Sequence, residues 1–233
     1  MSARMRSSRD HGILPRFIEN AAASQSSPNT AQPTAKTIAT VLIAIDNAGV
    51  ADAQFADRLA EAQIGATFNQ YAESQLLRER LSRYLDARAE AEIVLVGEAA
   101  GYRGARMSGI PFTSERQLGG AGPAEATATI VHRVLARLGR SEDVLLWNVV
   151  PTHPGTETSN RRPRPDEVDA ARPYLDEVLQ GRIAIAVGRV AEAALDAPYV
   201  RHPSHGGAAE FEAGLQRAFA TIRRRRAPVR RFS

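Results

Sequence analysis

The run Ile93-Val94-Leu95-Val96-Gly97-Glu98-Ala99-Ala100-Gly101 carries the clearest structural signal in the chain. Four aliphatic residues in succession, ending at once in a glycine-rich turn, read as a short strand buried on both faces. Upstream, Leu76, Leu77, Leu81, Tyr84 and Leu85 recur at helical spacing and predict one apolar helix face. Downstream, a helix carrying Ile130, Val131, Val134, Leu135 and Leu138 precedes a second strand, Val144 to Val150. Pro165 and Asp166 open a third helix that ends near Gln180, and Ile183 to Val187 forms a third strand. A short helix from Val190 to Leu195 leads to a fourth strand near Tyr199 and Val200. The last helix runs from Ala208 to about Arg224.

Strands alternating with helices in this way predict an α/β fold, a three-layer α/β/α sandwich around a four-stranded parallel sheet. In such sheets, ligands bind outside the carboxyl ends of the strands. Glu98 follows the first strand, Asn148 lies near the end of the second and His202 follows the fourth. The topology therefore brings separated polar residues to one edge. Asn148 is conspicuous among them, because an amide inside an apolar strand costs roughly 1–3 kcal/mol unless it is paired.

Composition narrows the chemistry. The 233 residues contain no cysteine, which excludes disulfides, thiolate metal sites, iron–sulfur clusters and a cysteine nucleophile. The apolar-leaning run from Thr37 to Val50 is interrupted by Asp46 and Asn47. It falls short of the ~20 residues of a membrane span, and no membrane partner is expected. A signal-peptide pattern is absent from the first residues, so a cytoplasmic, nucleoid-associated protein is expected. Of the basic residues, 29 are arginine and one is lysine, Lys36. With no lysine after position 36, a lysine Schiff base in the folded domain is excluded. Six arginines fall between Arg223 and Arg231, a cluster suited to phosphate partners.

The expected organisation is a disordered leader over 1–36, a helical segment over 37–66, the α/β domain over 67–222 and an arginine-rich tail over 223–233. The leader is rich in Ser, Ala, Pro, Gln and Asn and lacks apolar periodicity.

Six motifs occur in order within the domain. They are Val96-Gly97-Glu98-Ala99-Ala100-Gly101, Gly109-Ile110-Pro111-Phe112-Thr113, Trp147-Asn148-Val149-Val150-Pro151, Asn160-Arg161-Arg162-Pro163 with Glu167, Ala186-Val187-Gly188-Arg189-Val190-Ala191 and His202-Pro203-Ser204. In this order they resemble the uracil-DNA glycosylase superfamily, nearest the branch whose first motif is of the GEAPG type. The resemblance spans roughly residues 68 to 220. Ala100 stands where that branch has proline. The cysteines that hold its iron–sulfur cluster are absent, so neither cluster, metal nor other cofactor is carried over.

The resemblance implies a monofunctional hydrolase that flips uracil out of single- or double-stranded DNA and cuts its N-glycosidic bond. It implies catalytic roles for Glu98, on the attacking water, and for His202, as donor to the departing base. Gly97, Phe112 and Asn148 would bind the base, Phe112 by stacking and Asn148 by reading its edge. Ser204, Gly206, Gly207, Arg161 and Arg162 would hold DNA phosphates. His153 lies in the same connection as the arginine-rich loop, without an assigned role. A monomer is expected. The same fold acting on hypoxanthine, xanthine or mispaired thymine, and a non-catalytic module for damaged or single-stranded DNA, are the competing readings.

Overall fold

A computed structural model describes residues 54–226, with side chains through residue 224. The expected leader, most of the expected helical segment and the chain after residue 226 lie outside the described residues. Helix α1 covers residues 54–61. The order then runs α2 (Gln70–Glu73), α3 (Gln75–Asp86), β1 (Ile93–Ala99), α4 (Ala105–Ser108) and a 3-10 turn at Glu115–Leu118. It continues with α5 (Ala126–Arg137), β2 (Val144–Val150), α6 (Pro165–Leu179), β3 (Ile183–Val187), α7 (Arg189–Ala194), β4 (Tyr199–Val200) and α8 (Ala208–Arg226).

The four strands form one parallel sheet in the order β2-β1-β3-β4. Period-two alternation sends its side chains into two separate cores. Val94, Val96, Leu145 and Trp147 face a layer built from α1, α3, α6 and α7. Ile93, Leu95, Leu146, Ile185 and Val187 face α5 and α8. Both faces are covered, which is the three-layer sandwich. Phe55 of α1 packs edge-on against Trp147, with ring centroids 5.6 Å apart. No described helix is long and apolar enough to cross a membrane.

Two expectations shift in detail. On α3, Leu77, Leu81 and Leu85 are buried, whereas Leu76 is 51% exposed. A helix face at positions 77, 81 and 85 leaves position 76 about 100° away, outside the contact stripe. At the other end, α8 continues through Arg226. The arginine run at 223–226 therefore lies within that helix. Straight-chain arginine has high helix propensity, and nothing in that run breaks the helix.

Candidate active site

The register of β1 on β2 sets Gly97 beside Asn148. Both continue the alternation toward the α5–α8 layer, the face on which Phe112 also packs. A methyl group at Gly97 would overlap Cζ of Phe112 and come within 2.9 Å of Asn148 Oδ1. Glycine is thus the residue that lets the ring and the amide meet at the end of the sheet. Phe112 adopts a left-handed backbone, with φ of 52°. Such a conformation costs a non-glycine residue of order 1–3 kcal/mol and persists only where surroundings impose it. Here the Ser108 hydroxyl donates to the Thr113 carbonyl at 2.6 Å and accepts from the Ile110 amide at 3.1 Å, bracing the turn.

Asn148 is 3% exposed. No hydrogen bond to its amide is formed among the described residues. Its side chain opens instead onto a cavity of about 180 Å³ lined by Glu98, Phe112, Arg161 and His202 among others. A buried amide in protein interiors is almost always paired, so this one is poised for a partner that enters the cavity.

His202 reaches the same cavity from the loop after β4. The Ser204 backbone N–H donates to its Nδ1 at 3.2 Å. An amide N–H only donates, so Nδ1 is the acceptor and the ring proton of the neutral imidazole sits on Nε2. The Ser204 hydroxyl lies 2.8 Å from the same Nδ1 and 3.0 Å from His205 Nδ1. Burial, and then the neighbouring His205, push the His202 pKa below its usual value. A neutral ring with Nε2–H directed away from Ser204 is the result.

The turn that builds this arrangement engages two backbone amides of the residues expected to bind phosphate. The Ser204 N–H is taken by His202, and the Gly207 N–H donates to the Ser204 carbonyl at 3.0 Å. A side chain at Gly207 would overlap the His202 carbonyl oxygen, so glycine is required by close backbone approach. Gly206, at φ of 77°, is left-handed, and its N–H has no partner among the described residues.

Glu98 is half-buried at the end of β1 and faces the cavity. Burial lifts its carboxyl above the usual range, while the Arg162 charge pulls the other way. Arg161 also lines the cavity, but its guanidinium grips Glu167 in a two-pronged ion pair, with one contact at 2.8 Å and the other at 2.5 Å. The Glu167 side chain is fully buried and also accepts the Arg164 amide at 2.8 Å. Arg161 is thereby committed to the cavity wall rather than free for a phosphate. Arg162 next to it is exposed and forms no ion pair among the described residues. His153 is fully buried, with Nδ1 2.7 Å from the Ala100 carbonyl and Nε2 2.7 Å from the Thr156 carbonyl. It straps the loop after β2 to the turn after β1 and does not enter the cavity.

Two polar cavity residues, Glu125 and Thr127, carry no assignment from sequence, and Asn160, placed by the fourth motif, carries no role there. Asn160 accepts the Tyr102 amide at 2.9 Å and so closes one rim. Glu125 sits at the N-cap of α5, yet its side chain makes no capping bond. The available signal was that a long glutamate is an unusual choice at a position where Ser, Thr, Asp or Asn normally caps.

A family model described as the uracil DNA glycosylase superfamily matches residues 84–223. Among solved structures, the chain is similar to the crystal structure of wild-type Pedobacter heparinus SMUG2. The likeness has a TM-score of 0.54 at 12% identity, covering 73% of this chain and 98% of that one. No curated protein matches the sequence.

Proposed function

We propose, starting from the fact that the chain belongs to the uracil DNA glycosylase superfamily, that its cavity hydrolyses the N-glycosidic bond of uracil in DNA. The product is free uracil and an abasic site in an uncut strand. The bond is unreachable within a stacked duplex, so the base is first flipped into the cavity. Phe112 stacks on it, an interaction worth roughly 1–3 kcal/mol. Asn148 donates from Nδ2 to uracil O4 and accepts N3–H at Oδ1. Cytosine reverses that donor and acceptor order, so a fixed amide rejects it.

His202 donates from Nε2–H to O2 as negative charge builds on the leaving base, a contribution of about 3–4 kcal/mol by analogy with oxyanion holes. Glu98 orients the attacking water, and its charge favours the cationic sugar. The Gly206 N–H, the first amides of α8 and the Arg162 side chain hold the flanking phosphates. The protein acts as a monomer on single- or double-stranded DNA.

The observation that carries this reading is the buried Asn148 amide, unpaired among the described residues and open to the cavity. Asn148→Ala tests it. The variant should keep its thermal unfolding profile and lose about 100-fold or more in kcat/KM on a uracil-containing oligonucleotide. A loss of less than about threefold would remove Asn148, and with it the base-reading geometry.

A further inference from the structure

His153 has four polar atoms, and the fold engages every one of them. Its backbone N–H donates to the Phe68 carbonyl at 3.0 Å, and its carbonyl accepts the Phe68 N–H at 2.8 Å. In the ring, Nδ1 lies 2.7 Å from the Ala100 carbonyl oxygen and Nε2 lies 2.7 Å from the Thr156 carbonyl oxygen. A carbonyl oxygen only accepts, so each of these bonds needs a proton on the ring nitrogen. A neutral imidazole carries one such proton and would turn the lone pair of its other nitrogen toward a carbonyl oxygen. The ring has little freedom to escape that clash. It is fully buried, and a Cβ at Gly155 would come within 2.9 Å of its Cε1 and Nε2. Both ring separations also fall in the short range typical of a charged donor.

We infer that His153 is a doubly protonated imidazolium, a buried cation whose two N–H bonds hold the cavity wall together. It is a positioning residue, and the inference goes beyond the substrate reading because it concerns the wall whichever base enters. Through Ala100 it fixes the turn after β1, where Glu98 and Gly101 line the cavity. Through Thr156 it fixes a turn closed by the Thr156 amide on the Ser159 carbonyl at 3.0 Å. Asn160 and Arg161 follow that turn directly and line the cavity in their turn. The Asn160 side chain then takes the Tyr102 N–H and ties the two segments at the rim. A ring with one proton keeps one strap of the two, so the rim loosens where that proton is lost.

The charged and titratable groups on the surrounding elements are Glu98 after β1, Tyr102 and Arg103 beyond it, Arg106 on α4, Glu157 in the same loop, and Arg161 with Glu167. None forms an ion pair with the ring among the described residues. Arg106 pairs with Glu157 at 3.6 Å, and Arg161 with Glu167. The cation is held by carbonyl dipoles, which satisfy both N–H groups in place of water.

The test is long-range ¹⁵N–¹H correlation spectroscopy of the full chain from pH 6 to 9, with His153→Gln assigning the signal. At pH 7.0 both ring nitrogens should carry protons; a bare ring nitrogen there overturns the inference. Retention of both protons to pH 9 supports it in stronger form. Loss of one within the range should move the Tyr102 backbone amide signal with the same midpoint, and a still Tyr102 signal overturns the strap. His153→Gln, shown folded by circular dichroism, should shift the Tyr102 amide at pH 7.0. Its kcat on a uracil-containing oligonucleotide should fall about tenfold or more, with KM changed far less. An unshifted amide and an unchanged kcat in the folded variant overturn the positioning role. If the variant does not fold, the wild-type ring spectrum still decides. A wild type that releases no uracil counts against the substrate reading alone, since the ring and amide signals are read without substrate.

Discussion

The Ser204 backbone N–H points at Nδ1 of His202 from 3.2 Å, and this fixes which nitrogen of the imidazole carries the proton. Long-range ¹⁵N–¹H correlation spectra at pH 7.5 should show His202 as the Nε2–H tautomer. His202→Ala should then lower kcat on uracil DNA by about 10²–10³-fold, as for other preorganised donors to a developing anion. A His202 signal from the Nδ1–H tautomer would remove the donor from the cavity.

Gly97 governs the other side of the pocket, since Phe112 and Asn148 both occupy the space a side chain there would need. Gly97→Ala should displace the ring or the amide and destabilise the protein by about 1–3 kcal/mol, the usual cost of overpacking. Denaturant unfolding measures the stability, and the loss of excision should exceed what the unfolded fraction explains.

The Arg161–Glu167 pair makes a pH prediction whose sign follows from the carboxyl. Hydrogen bonding from Arg161 holds the Glu167 pKa below its ordinary value. The folded state therefore binds fewer protons there than the unfolded chain over the interval between the two pKa values. The stabilisation is complete above the ordinary carboxylate pKa and disappears as pH falls through the depressed one. The stability gap between wild type and Arg161→Ala should be largest at pH 6–7 and should narrow progressively below about pH 4.5. Chemical denaturation at four or five pH values reads it.

Phosphate contacts release counterions, so DNA affinity should fall linearly on a log–log salt plot. Arg162→Ala should weaken binding on every sequence alike and reduce the slope by about one. Arg161→Ala should leave the slope unaltered, because that guanidinium is already bound to Glu167. Fluorescence anisotropy over a salt series separates the two arginines.

Much of the scaffold was legible because its physics is local. Ile93–Val96 and Val144–Val150 are apolar runs of strand length, and only a sheet covered on both sides buries such runs. The convergence of Glu98, Asn148 and His202 followed from parallel topology, Phe112 entered through the family resemblance, and the structure gathers all four around one cavity. Contacts between distant loops were not legible. Nothing in the arginine-rich loop indicates that Arg161 is bound by a buried glutamate while Arg162 is exposed. The Ser204 and Gly207 amides look available in sequence, yet a tight turn consumes both to orient His202. Glu125 reaches the cavity only because two glycines at 101 and 104 give it a place to lie, a relation across more than twenty positions that no periodicity encodes.

The central claim is hydrolysis of uracil from DNA, and free base is its most direct signature. Chromatographic detection of uracil released from a uracil-containing oligonucleotide, single-stranded and opposite guanine, should show release matching the number of alkali-labile sites. His202→Ala and Glu98→Gln, measured beside the wild type, should release far less. Intact strands before alkali and free uracil in the supernatant are the predicted result. A folded wild-type protein that binds the oligonucleotide and releases no uracil would contradict the account.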